Sequence, residues 1–401
     1  MTALNNETVV GLLRSRPRVL ALGEPTHGED ILLEVRNDLF RQLVEREGYR
    51  TIAIESDCLR ALLVDDYVTT GTGSLDEAMA RGFSHEWGAL PGNRELVRWM
   101  RGHNAERGPS ERLRFVGIDG PLEITGAESP RAALTGLYDY LAARVDADLL
   151  PCTAGTLADL LGADERWPNP AAMMDPAQSI GRSAEAARLR LLADDLTGLL
   201  DEQAPQLDDS DRARLFARTA TGLLRYHFWM ADASPGRTSR LLGVRDAIMA
   251  ANLLAAAERG PVLVYAHNAH LQRARSSMRM GGLPLLHWWS AGAIVSTRLG
   301  PDYGFLATAL GTIRHHGVDA PPPDTVEGRL YARPADRFLV DPRELAGAPL
   351  AARVSPWFGY FPLDPTHLAR IDGIVFVKDS PAQAAATSTT QVTPNRSRSI
   401  P

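Results

Sequence analysis

Apolar positions along the 401-residue chain fall into two rhythms. Short uninterrupted runs, "RVLALGE" (18–24), "YRTIAIES" (49–56) and "LRFVGID" (113–119), read as strands buried on both faces. Between them, "EDILLEVRNDLFRQLVERE" (29–47) repeats at helical spacing, with Leu32, Val35, Leu39 and Leu43 on one stripe. "NRELVRWMRGHNAER" (93–107) is a second helix. This β-α-β-α-β order predicts an α/β fold with a mostly parallel central sheet flanked by helices.

From 130 to 257 the pattern is helical, with little strand character, and predicts a helical lobe inserted into, or packed across, the α/β core. Strand signals return at "PVLVYAHNAH" (261–270), "AIVSTRLG" (293–300), "YGFLATAL" (303–310), "DRFLV" (336–340) and "IDGIVFVKD" (371–379). The α/β core is therefore expected to be discontinuous, 1–129 with 258–380. Residues 381–401 are small, polar and Pro-containing and read as a disordered tail.

Composition narrows this picture. Apolar residues at 44% and charged residues at 23% fit a globular protein rather than a disordered or fibrous one. A net charge of −6 offers no field for nucleic acid or anionic membrane. No run approaches the ~18 apolar residues of a membrane span, and no secretory leader is evident. Two distant cysteines, Cys58 and Cys152, suggest a reducing compartment and a cytoplasmic location. They also argue against a thiolate metal site.

In a parallel α/β sheet, ligands bind outside the carboxyl ends of the strands. The first run ends into Glu24 and His27 ("LGEPTHGED"), the second at Glu55, the third at Asp119, and the run at 261 at His267 and His270. Those groups would gather on one sheet edge. His267 and His270 share a face if a helix starts there. Zinc ligation by these histidines with a carboxylate is a rival reading, but no HExxH spacing supports it, and no metal or other cofactor is expected. GxSxG and GxxxxGK[ST] are both missing, against a serine hydrolase and a phosphate loop. Cys58 reads as a small core residue. Arg36 flanks the apolar stripe of its helix, either snorkelling to solvent or turned toward the carboxylates. Arg245 and Asp246, with Asn252, are either surface charges or a polar clamp onto the core. The aromatic pieces "YHFWM" (226–230) and "LLHWWS" (285–290) read as core, or else as the lining of a pocket.

Taken in order, "LGEPTHGEDILLEVRNDL", "IAIESD", "ELVRWMRGHN", "FVGID", "VRDAIMAAN", "VYAHNAHL" and "IDGIVFVKDSPA" resemble the erythromycin esterase family, over roughly residues 15 to 380. The resemblance implies an α/β core with a helical lobe forming a large cleft. It also implies hydrolysis of a macrolide lactone ester without an obligatory metal. The family's motif acids and bases would fall on Glu24, His27, Arg36, Glu55, His267 and His270.

Ester hydrolysis near neutral pH needs a base for water, donors for the tetrahedral oxyanion and an acid for the leaving alkoxide. His27 is expected to be the base, oriented by Glu24 or Glu55, with no covalent intermediate. His267 and His270 are expected to donate to the oxyanion or the leaving oxygen. Arg36 would bind that charge or fix a glutamate. The expected partner is a bulky lactone or ester. Rivals are a tailoring enzyme rearranging another lactone or ester, a metal-dependent hydrolase, and a protein that only sequesters its ligand.

Overall fold

In the computed structural model, residues 4–13, 16–123 and 126–381 are described. Apart from residue 381, the tail read at 381–401 lies outside them. The central sheet has seven strands: β1 (Val19–Glu24), β2 (Thr51–Asp57), β3 (Arg114–Asp119), β4 (Val262–His267), β5 (Tyr303–Thr312), β6 (Arg337–Val340) and β7 (Gly373–Asp379). Their order is β6-β7-β5-β1-β4-β2-β3, and every pairing is parallel except β6 with β7 at one edge. The predicted α/β class and mostly parallel sheet are both present.

Continuous apolar strands arise because both faces are covered. Leu20, Leu22, Ile52, Ile54, Leu263 and Tyr265 point into one core with the helices α1 (Asp30–Glu47) and α2 (Pro91–Asn104). Val19, Ala21, Ala53, Val262 and Val264 point the other way. The chain then forms α3 (Arg131–Ala142), α4 (Ala184–Glu202) and α5 (Asp211–Met230), which share a separate apolar core of Leu134, Leu137, Leu189, Leu196 and Leu224. The next helix, α6 (Arg237–Glu258), lies on the sheet instead, burying Met249, Ala250, Leu253 and Ala257 against the strands. Its Leu241, Val244 and Ile248 also meet Leu223 and Tyr226 of α5, which seams the helical layer to the core.

One strand expectation fails. "AIVSTRLG" belongs to a helix, Ala291–Leu299, rather than a strand. Ser290 caps it by accepting the Ala293 N–H at 3.1 Å, and Gly300 at φ 54° ends it. Ile294, Val295 and Thr297 favour strands by their β-branches. The Ser cap and the small residues that allow close packing outweigh them: a Cβ on Gly292 would lie 1.9 Å from the Leu271 carbonyl oxygen. The pairing of Arg275–Met278 with Leu286–Trp289 was not anticipated; it buries Trp288 and leaves Trp289 57% exposed.

Candidate active site

At the carboxyl edge of the sheet, parallel register aligns Glu24 of β1 with His267 of β4. The pairing of β2 with β3 shifts between Ile54 and Asp57, which lets Glu55 turn toward the same edge. Gly117 makes the shift possible, because a Cβ there would sit 2.6 Å from the Ser56 and Asp57 carbonyl oxygens. Beyond β1 the chain turns through Pro25 to Gly28, which takes φ 85°, and presents His27. After β4, Asn268–Leu271 forms a single helical turn, α7, that carries His270.

Glu55 is the hub. Its Oε2 accepts the His267 backbone N–H at 2.8 Å, and its Oε1 lies 3.2 Å from the Arg245 guanidinium. His270 Nε2 is 3.3 Å from the same oxygen and His27 Nε2 is 4.0 Å away. Burial alone would raise the Glu55 carboxyl. The positive charge around it, from His270 first and then His27 and Arg245, instead holds it well below the usual carboxylate range. Arg245 also donates twice to Asp119, at 2.6 and 2.9 Å. Asp246 faces His270 Nδ1 at 2.9 Å and accepts the Ala291 N–H at 2.7 Å. The ambiguous Arg245–Asp246 pair is therefore a buried clamp from α6 onto the sheet edge.

The three histidines end in different states. For His270, burial lowers the pKa, but the charges of Asp246 and Glu55 push it up to about 9, so it is a fixed cation with both ring nitrogens on carboxylates. That leaves it no free N–H for an oxyanion or leaving oxygen. Burial, and then the charge of His27, push His267 down to about 3. Its Nδ1 accepts the Ala269 N–H at 3.2 Å, a network that assigns the proton of the neutral ring to Nε2. His27 keeps 40% of its side chain exposed. Its Nδ1 is 2.7 Å from Glu24 Oε1, and Glu24 Oε2 accepts the Tyr265 hydroxyl. Burial of the inner part of the ring lowers its pKa, but the charge of Glu55 and the bond to Glu24 outweigh this and raise it above 6.5.

Arg36 takes neither of its two expected places. It is fully buried, with its guanidinium on the Asn37 and Asn93 side-chain oxygens at 2.8–3.0 Å, and it makes no ion pair among the described residues. It lies 5.0 Å above the Tyr265 ring, whose hydroxyl is bound by Glu24, and its charge acts through space on Glu24 and Glu95 without touching either. The apolar stripe hid this, because Asn37 and Asn93 satisfy the cation inside the core.

Other residues at this edge were not singled out from the sequence. Tyr265 stands in an aliphatic run, a polar-tipped exception that was legible in principle. Trp87 lies between the rings of His27 and His85, 5.0 and 5.2 Å from them. His85 and Glu86 adopt φ 56° and 60°, left-handed backbone that side chains rarely take and that is concentrated at functional sites. No sequence signal marks it. His85 borders a cavity of about 240 Å³, lined also by Asp57, Arg60, Ser84, Glu123 and Glu128, beside the histidines rather than on them. Cys58 is buried and its thiol is pushed up to about 12 by that burial, so it stays protonated. Tyr226 and Met230 are buried at the seam between α5 and α6.

Among the described residues, His27 and His270 both approach Glu55, but His270 spends both ring nitrogens on carboxylates as a cation, which does not suit a metal ligand. The group whose ligand atoms all lie within 4.8 Å of one another is Glu29, His315 and His316.

Fold and site together define a class: an α/β protein whose sheet edge carries a glutamate-oriented, solvent-reachable histidine. The chain belongs to the erythromycin esterase family, whose model matches residues 44–380, and this membership supports a hydrolase. The matched span takes in Glu55, His267 and His270 and begins after the Glu24–His27 block. Three solved structures share the fold. A Bacillus cereus protein is 18% identical with TM-score 0.70, covering 93% of this chain and 91% of its own. A succinoglycan biosynthesis protein is 17% identical with TM-score 0.69, covering 93% and 90%. A mutant of the erythromycin esterase EreC in its open conformation is 19% identical with TM-score 0.66, covering 94% of each. No curated protein matches the chain. Among the described residues, no helix is long and apolar enough to cross a membrane.

Proposed function

We propose that this protein hydrolyses a lactone or carboxylic ester of a bulky natural product, of macrolide type or another, with water activated by His27 and no covalent intermediate. One observation carries the reading: of the three clustered histidines, His27 alone combines a pinned Nδ1 with an exposed ring. Glu24 holds Nδ1–H, which leaves Nε2 as the base. Nε2 and Glu55 Oε1 are 4.0 Å apart, a gap that one water hydrogen-bonded to both would fill. The water oxygen attacks the carbonyl carbon while its proton passes to Nε2. The oxyanion takes the Nε2–H of neutral His267 in exchange for that group's contact with the Pro25 carbonyl. When the C–O bond breaks, His27 returns the proton to the leaving alkoxide, giving an acid and an alcohol.

His270 and Arg245 act as positioning residues by holding Glu55 ionised, and the cavity at His85 offers a place for one part of the substrate beside the histidines. The free cysteines support a cytoplasmic setting.

Incubation with macrolides and other lactones, followed by mass spectrometry, tests the proposal. Gain of one water in the product supports it. A dehydrated or isomerised product would identify a tailoring enzyme instead, and affinity without turnover a sequestering protein. His27→Ala should lose roughly 10²–10⁴ in rate; near wild-type turnover in that variant would exclude His27 as the base.

A further inference from the structure

We propose that Glu29, His315 and His316 form a binding site for one divalent transition-metal ion, on the flank of the sheet edge away from Glu55. Glu29 precedes α1, yet its side chain does not cap that helix. The carboxylate turns inward, 3% exposed, where Oε2 accepts the Ser380 hydroxyl. Oε1 is left as the point on which two imidazoles converge. His315 Nε2 lies 3.1 Å from it and His316 Nε2 lies 3.8 Å from it.

Those separations suit a metal polyhedron. With bonds of about 2.0–2.1 Å to nitrogen and oxygen, ligands of a tetrahedral zinc sit about 3.3 Å apart. The two contacts to Glu29 bracket that spacing, and all three ligand atoms lie within 4.8 Å of one another, close enough for side-chain adjustment to surround an ion. They are also held in advance. Arg314–His316 is one tight helical turn, closed by Gly317 at φ 72°. Ile313 and Val318 pin its base by exchanging backbone hydrogen bonds of 2.8 and 3.1 Å. The His316 ring stacks on Trp357 at 3.9 Å and 12°, which fixes its rotation.

The chemistry selects the ion. Two imidazole nitrogens and one carboxylate oxygen favour zinc and its neighbours over magnesium or calcium, which prefer oxygen throughout. Burying a carboxylate is costly without a positive partner. Among the described residues, the only ion-pair partners of Glu29 are these two histidines, so an ion there would supply the missing charge. His315 and His316 are 24% and 40% exposed, so an ion can enter from solvent and keep open positions for water. Three protein ligands with an open position is the arrangement of accessible zinc sites rather than closed structural ones. The proposal stands independently of the hydrolase reading.

The test uses full-length, tag-free protein stripped with chelator. Titration with Zn²⁺ by calorimetry should show a single saturable site per chain, and Co²⁺ should develop a visible d–d absorption band at the same stoichiometry. His315→Ala/His316→Ala should weaken binding by at least about tenfold, and Glu29→Gln should do the same. The two histidines are partly exposed, so the double variant should fold, which circular dichroism checks. His267→Ala, in the other histidine cluster, should bind Zn²⁺ like the wild type. No saturable binding by the wild type would overturn the proposal. So would unchanged affinity in the double variant, or loss of binding through His267→Ala alone.

Discussion

His27, His267 and His270 carry the same ring, and their neighbours give it three different charges. Two carboxylates hold His270 as a cation, burial and a neighbouring cation keep His267 neutral, and Glu24 leaves His27 poised between the two. Environments that push like groups apart in pKa are how one site holds both acid and base roles. The tautomer of His27 depends on one oxygen of Glu24. In Glu24→Gln the amide can donate to Nδ1 and move the ring proton to Nε2, where it blocks the base. Turnover should fall by roughly 10²–10⁴, whereas Cys58→Ser, whose thiol is buried and protonated, should keep kcat within a few-fold. Steady-state kinetics of both variants check this, and a fully active Glu24→Gln would remove the orienting role. The charged and imidazole groups themselves were legible as residues that end apolar strands. Their separate charge states were not, because those depend on Asp246 and Arg245, which arrive from a helix more than a hundred residues away from Asp119.

Among the elements, β1 and α7 approach each other closely beside the site. Asn268 donates to the Thr308 carbonyl at 2.8 Å and accepts the Thr308 N–H at 3.3 Å, continuing the sheet where β1 leaves β5. Its Oδ1 would lie 2.1 Å from a Cβ on residue 23, so Gly23 is required for close approach rather than for a positive φ. Gly23→Ala should destabilise the fold by about 1–3 kcal/mol. Adding Asn268→Ala should cost less than the sum of the two single changes, because the clash is then gone. Denaturant melts of the three variants measure the coupling, and strict additivity would refute the contact. Local pattern located β1, β2 and β3 to within one or two residues, and the strand at 262–267 with its end three residues too far, where α7 begins. It failed at Ala291–Leu299, where β-branched residues mimic a strand. A serine cap, and packing against Leu271 that no local window contains, make that segment helical.

At the scale of the whole molecule, the same buried groups link stability to pH. His267 binds a proton in the unfolded chain below its usual 6.5 but in the folded protein only near 3, so its contribution is full above 6.5 and is lost as pH falls. His270 behaves in the opposite sense: its contribution is full below 6.5 and is lost as pH rises through about 9. Glu55, depressed from 4.5, adds stability that is present above that value and lost below it. Together these groups place maximum stability near pH 6.5, with His270 contributing at most about 3 kcal/mol and His267 at most about 5 kcal/mol. The melting temperature should therefore fall on both sides of that pH. A melting temperature that does not drop between 6.5 and 9 would contradict the ionised Asp246–His270–Glu55 arrangement.

Read along the chain alone, the residues were enough for the α/β class, the strand ends that carry Glu24, Glu55, Asp119 and His267, and the resemblance that the family match then bore out. Those properties follow from periodicity and from short motifs, which are local. Which groups meet depended on the packed fold. Arg36 went to two asparagines and a tyrosine instead of a glutamate, α6 supplied the clamp on Glu55, and Glu29 met His315 and His316 from nearly three hundred residues away. Electrostatic state depends on distance in space and on burial, and neither can be read along a chain before its strands are placed side by side.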